Sequence, residues 1–467
     1  MELRLSFIAE AAGGERAGED VSVAGISFDS RAVRAGQLFI PIRGAHSDGH
    51  DFVGQAVAAG ASAFLWERRR ALPKDWTAIP HVLVENSVRA LQDSARAWRE
   101  RLELKIVAVT GSNGKTATKE FVAAVAASAF RTTRSPGNAN SQVGLPKTIL
   151  EMPPDTQVAV LEMGMSEPGQ IARLCRIARP DIGIITMVGE AHLAYLGSRE
   201  AIAQAKWELV SSLAHGGTAI IPDDEPLFAG LKAPDGVRVV RFGETPAADV
   251  RMVNYVPEGI AGGEVVLQNG GRFILRAPGR HQARNALAAL AAGDALGVPR
   301  EQALAALGTV DMERLHLGVV RLGRNTTLID DAYNAAPSSM QAALRLLRDT
   351  AADIRMAVLG DMAELGTDSE RMHEDIGAAA GDLDFVFACG RFSARYVAGV
   401  RKADAQSGAR ALEAQTWEEL VDPLWERICA AEADGRSAVV LVKGSRSAGM
   451  ERIVAALVQR AAAARTD

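Results

Sequence analysis

Within LKIVAVTGSNGKTATKEFVAA, residues 104–124, four residue types stand at spacings suited to holding a phosphate. Gly111 and Gly114 let the backbone bend so that the amides of Ser112, Asn113 and Gly114 can face an anion at the start of a helix. Lys115 adds a point charge suited to β/γ-phosphates, and the Thr116 hydroxyl is a hard ligand for Mg²⁺. The order Gly-Lys-Thr after an apolar run points to nucleotide binding rather than an ordinary strand–turn–helix joint. Yet the Walker A spacing places a glycine where this chain has Val109, so the loop begins late.

A phosphate loop needs a metal-holding acid at the end of a neighbouring strand. QVAVLEMG supplies Glu162 after four apolar residues, where open α/β sheets bind their ligands. MVGEAH places His192 after another apolar run. Alone, a histidine is usually a surface or satisfied residue. Lys206, in REAIAQAKWELV, taken alone reads as solvent-facing.

These side chains require a scaffold of parallel strands. KIVAVTG, QVAVLEMG, DIGIITMVG and GTAIIPDD are short, apolar on both faces and separated by helix-length segments, as a sheet covered on both sides demands. GEVVLQNGGRFILRAPG predicts a hairpin turning near Asn269-Gly270, followed by a helix in ARNALAALAAGDAL. Upstream, VSVAGISFDS, QLFIPIRG, SAFLW and HVLVEN are β-like, and SVRALQDSARAWRERL is helical. Downstream, TTLIDDAY, IRMAVLGDM, DFVFACG and AVVLVKGS alternate with helical stretches, which predicts a second doubly wound unit. The division expected is 1–103, 104–312 and 313–467.

The 467 residues suit about three domains. A net charge of −5 gives no electrostatic reason to expect nucleic acid or an anionic membrane as partner. No apolar run reaches membrane-spanning length, and the charged N-terminal residues make a poor signal peptide. Cys175, Cys389 and Cys429 fit no zinc or disulfide spacing. A cytoplasmic, monomeric enzyme is expected, without membrane insertion.

Taken together, the motifs resemble the Mur ligase family of ATP-dependent amide-forming enzymes, whose phosphate loop takes the short form TGSNGKT or TGTNGKT. The resemblance spans nearly the whole chain and accounts for the late glycine. It implies an α/β protein of three domains: an N-terminal mixed α/β uridine-binding domain, a central P-loop parallel-sheet ATPase domain and a C-terminal Rossmann-like domain. FDSRAVRAGQLFIPIRGAHSDGHDF resembles the uridine-binding segment of members that add the third residue or the terminal dipeptide to the peptidoglycan precursor. SPGNANSQVGLPKTIL, DDAYNAAPSSMQAAL and VLGDMAELGTDSERMHEDIG resemble the dipeptide-adding members, and the DNPR segment of many third-residue ligases is missing.

The substrates implied are ATP, UDP-MurNAc-tripeptide and D-alanyl-D-alanine, with Mg²⁺ as cofactor. Lys115 and Thr116 match the phosphate-loop residues; Thr116, Glu162, His192 and Lys206 match the metal site, Lys206 being the lysine that CO₂ carbamylates. Lys115, Lys206 and His192 are therefore the catalytic expectation. Asn285 matches the adenine side, Arg314 a phosphate contact at the domain junction and Asp331 a ribose contact, with Asp330 adjacent. Ser30 and Arg31 match the uridine side, Asn138 and Asn140 a substrate-facing loop, and Lys443, Ser445 and Arg446 a turn facing the acceptor dipeptide. Ala336, Ser141 and Gln282 stand where the family often has asparagine. Rival expectations are a sister amide ligase, such as the third-residue Mur enzyme or folylpolyglutamate synthase, and a P-loop switch or motor.

Overall fold

The computed structural model describes residues 3–44, 47–310, 317–403 and 410–464. Arg314 and the expected boundary at 312/313 lie outside the described residues.

The central sheet has nine strands. Third from one edge, the strand Lys105–Thr110 pairs in parallel with Val158–Glu162 on one side and Ile182–Ile185 on the other. Alternation along these strands serves two cores. Ile106, Ala108, Ala159, Leu161 and Ile185 face one buried cluster, and Val107, Val109, Val158, Val160, Ile182 and Ile184 the other. That is why these strands read as continuous apolar runs: both faces are dry. The second cluster is closed by the helices Lys115–Ala127 and Arg280–Leu296. The expected hairpin is present, Gly263–Leu267 pairing antiparallel with Arg272–Leu275 at the sheet's edge.

The N-terminal sheet has five strands between Glu15 and Val84, four parallel neighbours and one antiparallel edge. Of the β-like run VSVAGISFDS only Ile26–Ser27 forms a strand. Its outer edge is taken by the central domain: Glu151 Oε1 accepts from the Ile26 amide at 2.7 Å, and Lys147 Nζ donates to the Ile26 carbonyl. Leu5, Ile8, Leu38, Leu65 and Trp98 belong to the same buried cluster as Ile106, Leu161 and Ile202. The N-terminal layer and one face of the central sheet thus share one apolar core.

The third sheet has six strands, with Gly318–Arg321 antiparallel at one edge and the rest parallel. Its strands split their side chains between two cores, Leu328, Met356, Val358 and Val440 on one face and Ile329, Ala357, Leu359 and Leu441 on the other. No described helix is long and apolar enough to cross a membrane.

Candidate active site at the C-terminal strand ends

The phosphate loop leaves the strand Lys105–Thr110 at Gly111, whose φ is +153°; a Cβ there would lie 1.8 Å from Thr186 Oγ1. Only glycine fits so close an approach. Thr186 donates to the Asn113 carbonyl at 2.5 Å, and Ser112 N donates to the Met187 carbonyl at 3.0 Å, so the neighbouring strand fixes the loop's path. Gly114 caps the helix Lys115–Ala127 at φ +80°, with the Asn285 side chain packed where a Cβ would project. Asn285 Nδ2 donates to Gln282 Oε1 at 3.0 Å, so the glutamine that departs from the family pattern orients Asn285. The helix N-terminus turns its unsatisfied amides and positive dipole end towards the loop.

Glu162 ends its strand beside that helix and is 2% exposed. Thr116 Oγ1 donates to its Oε2 at 3.0 Å, and Asn140 Nδ2 donates to its Oε1 at 2.8 Å. Lys119, one turn beyond Thr116 and only 1% exposed, places Nζ 3.8 Å from the same Oε2. Lys119 is a site residue that the sequence reading did not single out. The available signal was its spacing, since residues three and four after Thr116 and Lys115 share their helix face. A hydroxyl and a carboxylate meeting at a strand end form a hard oxygen donor set, which fits Mg²⁺. Among the described residues no three His, Cys, Asp or Glu side chains converge on one point.

Lys206 is not solvent-facing. It lies 1% exposed on the helix Arg199–Ser211, which Ser198 caps by accepting from the Ala201 amide at 3.2 Å. Burial, reinforced by the Lys115 charge, pushes the Lys206 ammonium well below the ordinary lysine range. Lys115 is lowered too, chiefly by burial, with Glu162 pulling the other way. Its Nζ folds back to the Gly111 carbonyl at 2.8 Å. His192 is held in the left-handed region at φ +69°. Burial is the main influence lowering its pKa, opposed by Glu364 and assisted by Lys115 and Lys206. These shared influences bring Lys115, Glu162, His192 and Lys206 into one electrostatic neighbourhood.

Residues on the loops and helix that follow strands of the third sheet lie over this region. Asn113 Nδ2 donates to Ser338 Oγ at 2.6 Å, and Asn138 Nδ2 donates to the Tyr333 hydroxyl at 3.2 Å. Glu364 Oε2 lies 2.7 Å from His192 Nδ1, off the hydrogen-bond angle, and the Glu364 carbonyl accepts from the Ala194 amide at 3.0 Å. Lys443 Nζ pairs with Asp331 Oδ2 at 2.8 Å and donates to the Asn334 carbonyl at 2.8 Å, while Asp330 Oδ1 accepts from the Ala332 amide. Asp331, rather than Asp330, is thus the acid tied to the Lys443 strand end. Arg446 stands 5.9 Å over the Tyr333 ring, so it joins Asn138 through one aromatic residue. Ser445 Oγ bonds Ser447 at 3.1 Å, and its amide donates to the Asp361 carbonyl. Ser30 and Arg31 bond locally instead, to Gln55 and Asp29 in the N-terminal layer. Arg31 holds the Asp29 carboxyl down at about 2.

Family models match in succession along the chain: the Mur ligase family catalytic domain at residues 22–128, the Mur ligase middle domain at 109–293 and the Mur ligase glutamate ligase domain at 314–446. The UDP-N-acetylmuramoyl-tripeptide–D-alanyl-D-alanine ligase of Bacillus subtilis is 36% identical over 446 residues, 94% of each chain. The chain belongs to the Mur ligase family. Among solved structures, MurF from Acinetobacter baumannii superposes with a TM-score of 0.90 at 29% identity, covering 98% of this chain and 99% of that one. MurF from Thermotoga maritima in complex with ADP gives 0.80 at 28% identity, covering 94% and 97%.

Proposed function

We infer that this chain is the ATP-dependent ligase that joins D-alanyl-D-alanine to UDP-MurNAc-tripeptide, giving the UDP-MurNAc-pentapeptide precursor of peptidoglycan. Full-length similarity to ligases of that name supports the substrates. The observation that supports the chemistry is the phosphate loop beside Glu162 at the C-terminal ends of the central strands, with the buried Lys206 under the influence of the Lys115 charge.

In the reaction, the terminal carboxylate of the tripeptide attacks the γ-phosphorus of ATP, forming an acyl phosphate and releasing ADP. The amine of D-alanyl-D-alanine attacks the acyl carbon, the tetrahedral adduct collapses, phosphate leaves and the amine proton passes to solvent or phosphate. Two anions must approach in the first step, so the barrier is largely electrostatic. Lys115 opposes that repulsion at the phosphates, and the loop amides hold them in line. Thr116 and Glu162, with His192 and a carbamylated Lys206, would hold Mg²⁺, which would supply neutralisation of the phosphoryl oxygens. Burial that lowers the Lys206 pKa favours the free amine that CO₂ needs: the amine nitrogen bonds to the CO₂ carbon, one N–H proton is lost to solvent, and the side chain becomes an anionic oxygen ligand.

Asn285 serves the adenine and Asp331 the ribose, Ser30 and Arg31 the uridine, and Asn138 and Asn140 the sugar-peptide. Lys443, Ser445 and Arg446 serve the acceptor dipeptide. The corresponding division is an N-terminal UDP-sugar-binding domain at 1–103, an ATP-binding domain at 104–312 and a ligase domain at 313–467. Each chain carries its own set of these residues, and we assign a monomer working in the cytoplasm, where its nucleotide substrates are soluble.

The test is phosphate release with ATP, Mg²⁺ and UDP-MurNAc-tripeptide, with and without D-alanyl-D-alanine, together with product mass. Dipeptide-dependent release and a pentapeptide product are expected. Turnover only with a single amino acid or a folate acceptor would move the chain to a sister ligase. Hydrolysis indifferent to every acceptor would overturn synthesis altogether.

A further inference from the structure

Lys119 is almost wholly buried inside a ring of polar groups. Its Nζ donates to the Gly137 carbonyl at 2.8 Å, lies 3.4 Å from Glu120 and stands 3.8 Å from Glu162 Oε2. Gly137 belongs to the segment running from Ser135 to Asn140, which wraps around Glu162. Ser135 Oγ accepts from the Glu162 amide at 3.1 Å, and the Asn140 carbonyl accepts from the Gly164 amide at 2.9 Å. Asn140 Nδ2 then closes on Glu162 Oε1. The tip between these anchors presents Asn138 to Tyr333 of the third sheet.

Stability alone does not call for a lysine at this position. Burying an ammonium is costly, and exchanging a buried ion pair for a well-packed apolar side chain is often neutral or stabilising. Glu120 does not require it either, because Arg134 Nε already pairs with that carboxylate at 2.8 Å. The closest contact of Lys119 is the loop carbonyl, and its stem runs from the helix that also carries Lys115 and Thr116.

We propose that Lys119 is a positioning residue that locks the Ser135–Asn140 loop to Glu162, so that the phosphate site and the sugar-peptide site keep one fixed geometry. The proposal rests on the ligase reading above. Because Lys119 contacts the loop and Glu162 rather than the phosphate turn, its loss affects loop order and turnover more than nucleotide affinity.

The experiment compares wild type with Lys119→Met, which removes charge and donor, and Lys119→Gln, which keeps a donor. Three quantities are measured: the Kd for ATP by calorimetry, kcat with the KM for UDP-MurNAc-tripeptide, and amide hydrogen exchange over residues 136–144. For Lys119→Met we expect kcat to fall about 100-fold, the cost of a misplacement of roughly 1 Å. Its KM for the tripeptide should rise about tenfold, its ATP Kd should stay within about threefold, and loop protection should be lost. Lys119→Gln should fall between the two. In a double-mutant cycle, adding Asn140→Ala to Lys119→Met should cost little more than the single change, since both act on one unit.

Wild-type kcat and loop protection in Lys119→Met would overturn the proposal, as would fully additive losses. Failure of both variants to fold would reduce Lys119 to a fold residue and also overturn it. A wild-type protein that makes no pentapeptide would instead sink the ligase reading, so the two failures are separable.

Discussion

Lys206 shows how far a single residue's environment can depart from its chemical type. Its burial and the nearby Lys115 charge push its ammonium well below the ordinary lysine range, and the described residues offer it no paired carboxylate. A ¹³C-bicarbonate-labelled sample should therefore show a carbamate resonance that Lys206→Ala lacks. The same variant should lose about 10² to 10³ in kcat, the usual cost of removing one electrostatic stabiliser. A full-strength resonance in Lys206→Ala would disprove the assignment. Gly114 supports a second test. At φ +80°, with Asn285 Oδ1 2.6 Å from the position of a Cβ, Gly114→Ala combines backbone strain with a clash. We expect it to destabilise the protein by about 1–3 kcal/mol and to raise the KM for ATP. Unchanged thermal unfolding and KM would show that the loop relaxes freely. The phosphate-loop residues were legible in sequence because they are consecutive. Lys119, Glu364 and Tyr333 were not, because each gains its partner only across a turn or a domain junction.

At the scale of elements, doubly buried parallel strands declared themselves as apolar runs, and the hairpin as an Asn-Gly turn. Glu15–Ala17, Thr132–Arg134 and Ala411–Ala414 were missed, being short edge strands whose residues are mostly exposed or half-buried. Arg238–Gly243 and Val250–Pro257 were missed for a different reason: their charged and polar residues interrupt the apolar pattern. Ala336 illustrates local substitution. Lacking a capping side chain at the start of the helix Pro337–Asp349, it has its amide accepted by Ser339 Oγ at 2.9 Å.

The helix Arg280–Leu296 carries a pH-sensitive element. Burial, with the Lys443 and Arg345 charges, holds His281 down at about 4 against an ordinary 6.5. Its place at the helix N-terminus also disfavours a cation. The unfolded chain binds this proton more readily than the native one. Stability is therefore complete above about pH 6.5 and declines as pH falls towards about 4. At about pH 5 the loss should reach roughly 1–2 kcal/mol. Thermal unfolding between about pH 7.5 and about pH 5 should then slope less steeply in His281→Gln than in wild type. Equal slopes would show that His281 titrates normally.

The whole molecule divides unequally. The N-terminal layer and the central sheet share one apolar core, whose residues run from Leu3 to Phe228. The third sheet keeps its own two cores, with Ile260 packing at the margin of one. Across the active site it meets the central sheet through polar contacts: Asn113 with Ser338, Asn138 with Tyr333 and His192 with Glu364. An apolar core resists separation, whereas a few polar contacts exchange readily with water. The first two domains should therefore move as one body, with the third closing upon it as ATP and the sugar-peptide bind. Closure would shield the acyl phosphate from hydrolysis.

Glu364 is the contact to perturb. It sits in the left-handed region at φ +63°, a conformation costing an L-residue roughly 1–2 kcal/mol, while its carboxylate meets His192 across the junction. Glu364→Gly relieves the strain and removes the carboxylate; Glu364→Ala removes the carboxylate and keeps the strain. If the carboxylate matters to closure, both variants should need more ATP and sugar-peptide to reach the compact form seen by scattering, with Glu364→Ala the more impaired. Full compaction of both variants at wild-type ligand levels would remove Glu364 from the closing contact. Interdomain distances identical with and without ligands would refute the hinge itself.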